Sequence, residues 1–210
     1  MVMAIGKSIQ RKDAWEKVTG LARYTDDFPV TGLLCARLLT SPYGHARILK
    51  IDTARALAVK GVKSILTGGD FQELHGPLLL DRPALARNVV RYAGEPVALV
   101  VAQEESIAAK AVRLIEVEYE PLPVLLTPSA SLSPGAVLIH EKVTGYKRLL
   151  TDICPEEGTN IASRYRIQKG SAGQALKKCD YIVQKQFSLP ASDHLAMEVR
   201  TARAQISADG

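Results

Sequence analysis

The chain has 210 residues, 47% hydrophobic and 23% charged, with a formal net charge of +5. That is an ordinary composition for a globular chain, and it suits one or two domains with a sizeable core. No apolar run reaches the roughly 18–20 residues that would span a bilayer, and the start, MVMAIGKSIQRKDAWEK, lacks the apolar stretch and cleavage pattern of a secretory signal, so a cytoplasmic location is expected.

In chain order, residues 1–30 read as an extended arm with a short strand near Leu21–Tyr24, stopped by Pro29. Leu33–Ser41 is a strand candidate, and Pro42–Arg47 supplies a turn. Two similar units follow. In the first, strand Arg47–Asp52 leads into a short helix, Ala54–Val59, with Asp52 or Thr53 as its cap, and Gly61 suits a left-handed exit before strand Val62–Gly68. Asp70 begins another short turn. In the second, Glu95–Gln103 is a continuous apolar run, as expected of a strand buried on both faces. Glu104–Leu114 reads as a helix, with Ile107, Ala111, Leu114 and Ile115 on one face. Ile115–Pro121 alternates apolar residues with three glutamates, a strand with one buried face.

From Leu122 to about Thr159 the signals weaken, and Pro121, Pro123, Pro128, Pro134 and Pro155 punctuate a segment that reads as a surface linker. Strand signals resume at Asn160–Gly170 and Asp180–Pro190, with a short helix at Ser171–Cys179 between them. A closing strand alternates from Thr201 to Ala208, and Asp209-Gly210 is a hairpin-turn signal. The last 50 or so residues are too few for an independent core.

No G-x-G-x-x-G, Walker loop, H-E-x-x-H or G-x-S-x-G is present. Cys35, Cys154 and Cys179 are an odd, dispersed set, which argues against a disulfide framework or a metal cluster built by this chain alone. The histidines are His45, His75, His140 and His194. His194 and Glu198 could share a metal on a helix, but the strand reading separates them by about 13 Å, so a buried, hydrogen-bonded histidine is the favoured role. Asp26-Asp27 could be a carboxylate pair; on an extended chain the two side chains point apart, which favours capping or turn stabilisation. Tyr92–Ala98, YAGEPVA, reads equally as a loop facing a site or partner and as a tight turn in which Gly94 needs positive φ. Basic clusters at Arg82–Arg91, Tyr146–Arg148, Arg164–Arg166 and Lys177-Lys178 are not interleaved with aromatics, so they read as a solvated rim or a face for an acidic partner rather than a nucleic-acid site.

Four stretches together resemble the opening of the molybdopterin-binding large subunit of molybdenum hydroxylases, the xanthine dehydrogenase and aldehyde oxidase family. They are RKDAWEKVTGLARYTDD (11–27), SPYGHARILKIDTARALAVKGVKSILTGGD (41–70), VRYAGEPVALVVAQ (90–103) and AAKAVRLIEVEYEPLP (108–123). GTNIASRYRIQKG and DHLAMEVRTARAQISADG extend the likeness toward the end of the chain. The resemblance implies an α+β fold: an arm over 1–16, an α/β hammerhead domain over 17–126, a linker over 127–159, and over 160–210 the first strands of an incomplete molybdopterin-binding domain. The family's glycine-rich pterin contacts, active-site glutamine and catalytic glutamate come later in its large subunit. No catalytic, cofactor-binding or metal-binding residue is therefore assigned in this chain.

What the resemblance implies is a non-catalytic part of an assembly that hydroxylates a heterocycle or an aldehyde. Molybdopterin would sit in the complete enzyme, with 2Fe-2S clusters and often FAD on other domains or subunits. Its partners would be the remaining molybdopterin-binding part and the iron–sulfur and FAD subunits, with self-association through the C-terminal strands and with neither nucleic acid nor membrane. The chain would then be a shortened large subunit, the product of a prematurely stopped gene, or one part of a split subunit. The alternative is a free-standing interaction or assembly module with no enzymatic activity.

Overall fold

The computed structural model describes residues 5–196 and 198–207, in two compact units, 32–179 and 5–31 with 180–207. Asp209-Gly210 lies outside the described residues.

The larger unit is organised by the apolar run that the sequence singles out. It forms strand β7, Pro96–Ala102, at the centre of an antiparallel sheet between β1, Cys35–Thr40, and β3, Val62–Thr67. Alternate residues of β7 serve different cores. Ala98, Val100 and Ala102 face helix α3, Glu105–Val112, and pack on Ala108, Ala111 and Ile115 with Ala56 of helix α2, Ala54–Leu57. Val97 packs instead on Ala46, Ala86 and Val90. Alanines on the buried stripe of α3 let its backbone approach the sheet closely, while Ile107 and Leu114 fill the margins.

The second sheet has β2, Ala46–Asp52, between β6, Val89–Val90, and β8, Glu116–Pro121. On β2, Ile48 and Ile51 are three apart and would point to opposite faces of a regular strand. A bulge leaves Leu49 unpaired between the Ile48↔Tyr119 and Lys50↔Glu118 pairs, so both isoleucines reach the core while Leu49 stays exposed. The outward glutamates of β8 form ion pairs, Glu120 with Arg47 and Glu116 with Arg55. All four side chains are at least half exposed, so the pairs contribute little beyond register. A two-stranded ribbon, β4 Leu74–His75 with β5 Arg82–Pro83, completes the strands of this unit among the described residues.

Local signals set the connections. Asp52 Oδ1 accepts the N–H of Ala54 at 3.1 Å and opens α2, and Gly61 leaves it at φ +97°. Asp70 closes a 3₁₀ turn, Gly68–Asp70, its carboxylate accepting the Thr67 N–H at 2.6 Å and hydroxyl at 3.1 Å.

The segment over 127–159, expected to run over the surface as a linker, carries structure of its own. Thr127 caps helix α4, Pro128–Ser131, by accepting the Ala130 N–H at 3.1 Å. Val143 and Ile153 are buried with Leu79, and Leu80 N–H→Lys147 O and Leu149 N–H→Leu78 O tie the segment to residues 78–80. The Asn160 amide fastens it further, donating to Ser131 O and Val137 O and accepting from Ile139 N–H. Its apolar residues follow neither a helical nor a strand period, which hides the burial from a periodicity reading. The helix expected over Ser171–Cys179 is present as α5, Ala172–Leu176, but Asn160–Gly170 forms no strand.

In the smaller unit the start differs from expectation. Residues 14–18 form helix α1, Ala14–Val18, where an extended arm is expected. Leu21–Tyr24 is not a strand, because its first N–H groups close that helix: Leu21 and Ala22 donate to Glu16 O at 2.8 and 2.9 Å, with Gly20 left-handed at φ +74°. Asp180–Pro190 and the described part of Thr201–Ala208 form no strand either. Tyr181, Phe187, Leu189 and Ile206 are each more than four-fifths exposed. Alternation marks what a strand would bury if it were paired, and no neighbouring strand exists among the described residues of this unit.

Candidate functional site

Residues on the mouth of β7 and the start of β2 build the polar part of the larger unit. In YAGEPVA, Gly94 has φ +89° and donates its N–H to Ser41 O at 2.8 Å, while Ser41 N–H returns a bond to Glu95 O at 2.9 Å. Glu95, only 6% exposed, accepts the Arg91 N–H through its carboxylate. The tight-turn reading of this motif is therefore the one the geometry supports. No atom lies within 4 Å of a Cβ built on Gly94, so a substitution meets backbone strain and no clash. Gly94→Val should lower stability by about 1–2 kcal/mol and Gly94→Asn by less, because asparagine tolerates the left-handed region. Denaturant melts of the two variants beside the parent chain check this; equal midpoints for all three would contradict it.

His45 is 4% exposed, and its Nδ1 lies 2.7 Å from Pro123 O. A carbonyl only accepts, so Nδ1 carries the proton and pins the exit of β8, where Leu122 N–H also donates to His45 O at 2.9 Å. His45 lies at the edge of a cavity of about 590 Å³ between β2, β6 and the segment 137–146. Its wall includes Arg47, Asp81, Arg87, Arg91, Lys142 and Tyr146. Arg91 is held from two sides, Nε donating to Ile139 O at 2.9 Å and Nη1 to Val89 O at 3.3 Å. Arg87 donates through Nη2 to Phe71 O at 2.8 Å.

A smaller cavity adjoins it, lined by Leu79, Asp81, His140, Val143 and Asn160 among others. Here His140 Nδ1 lies 3.0 Å from the Tyr146 hydroxyl and Nε2 lies 3.5 Å from Asp81 Oδ2. Burial pushes His140 below its ordinary 6.5, helped by the nearby Arg91 charge and opposed by Asp81. Below about pH 6.5 the unfolded chain then binds a proton that the folded chain resists, so this histidine's contribution to stability is present above that pH and is lost as the pH falls toward its folded value. Melting temperatures between pH 7.5 and 5.5 should drop less steeply in His140→Gln than in the parent chain; identical pH slopes would refute the assignment.

The other sequence candidates do not converge. Asp27 accepts the Tyr24 N–H at 2.8 Å inside a 3₁₀ turn, Thr25–Asp27, which is the capping role favoured for Asp26-Asp27. His194 and Glu198 are both exposed, so the buried, hydrogen-bonded role expected for His194 does not hold. His75 on β4 is exposed as well. Cys35 is half-buried, and Cys154 and Cys179 are exposed thiols. Among the described residues, no three His, Cys, Asp or Glu side chains gather as metal ligands, and no helix is long and apolar enough to cross a membrane. Sequence reasoning missed the half-buried guanidinium groups of Arg87 and Arg91. The cluster Arg82–Arg91 was visible, but nothing local separates a solvated arginine from one held under a later segment.

Comparison with known proteins gives this geometry its relatives. The family model described as aldehyde oxidase and xanthine dehydrogenase, a/b hammerhead domain, matches residues 19–123. The chain is 34% identical over 212 aligned positions to the xanthine dehydrogenase molybdenum-binding subunit of Escherichia coli O157:H7, covering 95% of this chain and 26% of that subunit. It is 39% identical over 129 positions to the carbon monoxide dehydrogenase large chain of Afipia carboxidovorans, covering 59% of this chain and 16% of that one. Among solved structures, quinoline 2-oxidoreductase from Pseudomonas putida 86 superposes with a TM-score of 0.57 at 36% identity, over 67% of this chain and 19% of that chain. Aldehyde oxidoreductase from Desulfovibrio gigas gives a TM-score of 0.55 at 32% identity, over 62% and 16%. The chain thus spans about a quarter of the length of the curated relatives it matches over most of its own.

Proposed function

Because the chain belongs to the aldehyde oxidase and xanthine dehydrogenase family, we propose that it serves as the hammerhead portion of a molybdenum hydroxylase large subunit, a structural rather than catalytic part. The observation that carries the reading is the family match over 19–123 in a chain whose relatives are about four times longer. The activity belongs to the assembly: oxidative hydroxylation of a heterocycle or an aldehyde, with molybdopterin on the remaining part of the large subunit. Iron–sulfur clusters and FAD would lie on partner domains or subunits and carry the electrons away. The described residues do not fit the molybdenum cofactor themselves. They gather no group of three His, Cys, Asp or Glu side chains that could hold a metal ion. Three cysteines without a disulfide suit a reducing compartment, and the cytoplasm is proposed as the location.

Affinity purification of the tagged chain from its own cells, followed by metal analysis, tests this. The expected result is a complex with about one molybdenum per chain, and negligible molybdenum in the chain purified alone. Recovery of the chain without any molybdenum protein would favour a free-standing interaction module. About one molybdenum on the isolated chain would also sink the proposal, by showing that the chain holds the cofactor itself.

A further inference from the structure

We propose that the 590 Å³ cavity of the larger unit is a binding site for an oxyanion, a phosphate or carboxylate group, held by Arg87 and Arg91. Three observations converge on it. Four cationic side chains, Arg47, Arg87, Arg91 and Lys142, line the cavity against two carboxylates, Asp81 and Glu141. Arg47 is engaged by Glu120, but Arg87 and Arg91 form no ion pair with a carboxylate among the described residues.

Their only acceptors there are backbone carbonyls, Phe71 O for Arg87 and Ile139 O and Val89 O for Arg91. A carbonyl fixes the position of a guanidinium without cancelling its charge. Both groups make these bonds in part-buried surroundings, where an uncompensated charge is costly. The Arg91 charge is felt at His140, whose protonated form it disfavours. Moreover, Arg87 Nε is the one buried side-chain nitrogen or oxygen without a partner among the described residues. The large majority of buried side-chain polar atoms in native structures have a partner. The planar guanidinium fork matches the paired oxygens of a carboxylate or phosphate, and a charge-assisted bond there would compensate the charge.

This site needs no molybdenum and does not depend on the proposed assembly, so the test uses the chain by itself. Inorganic phosphate and acetate are titrated separately into the 15N-labelled chain at pH 7, with ionic strength held constant by sodium chloride. Saturable shifts of the Arg87 and Arg91 side-chain and backbone resonances are expected, with the tighter of the two anions identifying the preferred class. Arg87→Gln should weaken binding at least about tenfold, since a bond to a charged group is lost. Arg87→Lys, which keeps the charge but loses the fork, should fall between. Lys142→Gln alters an exposed side chain, preserves the fold and should weaken binding severalfold through the lost charge. Shifts that fail to saturate with both anions, or an affinity unchanged in the folded Arg87→Gln and Lys142→Gln variants, would overturn the proposal.

Discussion

Gly68→Val should lower the stability of the larger unit by more than about 4 kcal/mol, placing it among the rare substitutions that approach the whole stability of a domain. The reason is a close approach of two main chains. A Cβ built on Gly68 would lie 2.4 Å from Ala86 O, 2.7 Å from Ala86 C and 2.8 Å from Leu85 O. These are backbone atoms of two buried residues, so no flexible side chain can swing aside. Ala86 is fixed in turn by its N–H bond to Pro96 O at 2.7 Å, at the first residue of β7. On the other side, Gly68 is held by the Asp70 carboxylate that clasps Thr67. Relieving the clash means opening either the turn or the entry to the central strand. Gly69→Ala is the matched control, because a Cβ there would meet only Thr67 Oγ1 at an ordinary 3.8 Å. Denaturant melts followed through the exchange of Val97–Val101 should show a large loss for Gly68→Val and a change within about 0.5 kcal/mol for Gly69→Ala. A Gly68→Val chain as stable as its parent would mean that the two main chains are not in contact.

That contact was not legible in the sequence, whereas the strand it touches was. The run Glu95–Gln103 has apolar residues at every position from Pro96 to Ala102, and only burial on both faces accounts for that, so β7 could be read directly. Helix α3 and strand β8 were legible for the same reason, since each has one apolar face at its own period. Where burial follows no period, the reading failed. Val143 is buried from a 3₁₀ turn, Val143–Gly145, and Ile153 from a loop, and their neighbours in sequence give no repeating signal. At α1 the signal existed in Gly20, but a five-residue helix offers too short a stripe to stand out from an arm. The cavity is a harder case. Arg87 and Arg91 come from the approach to β7, while Ile139 and Lys142 come from the segment read as a linker. A site assembled from two regions is invisible until one is seen to fold over the other.

The C-terminal segment fails in the opposite direction, with a clear pattern and no structure to match, and it leads to the second large effect. Amides of Tyr181–Phe187 and Ala202–Ile206 should exchange at least about a thousandfold faster than those of Val97–Val101 in the chain studied alone. Protection needs an N–H that is bonded and removed from water. Every residue of β7 from Ala98 to Ala102 is paired with a strand on each side, and Val97, Ala98, Val100 and Ala102 are fully buried. No backbone–backbone bond is found within 180–207 among the described residues, and Tyr181, Val183, Phe187 and Ile206 are each at least four-fifths exposed. Ordering one residue costs roughly 1.5 kcal/mol of conformational entropy, and side chains that stay in water return almost none of it. The alternating pattern still records a face meant for burial, so a partner that supplies a strand should restore protection there first. Hydrogen exchange on a verified monomer, repeated on the complex recovered from cells, separates the two states. Protection of Tyr181–Phe187 equal to that of Val97–Val101 in the monomer would show that the segment builds its own sheet without help. If exchange stayed fast in the complex as well, the apolar face of Tyr181, Val183 and Phe187 would not be a surface on which the rest of the assembly packs.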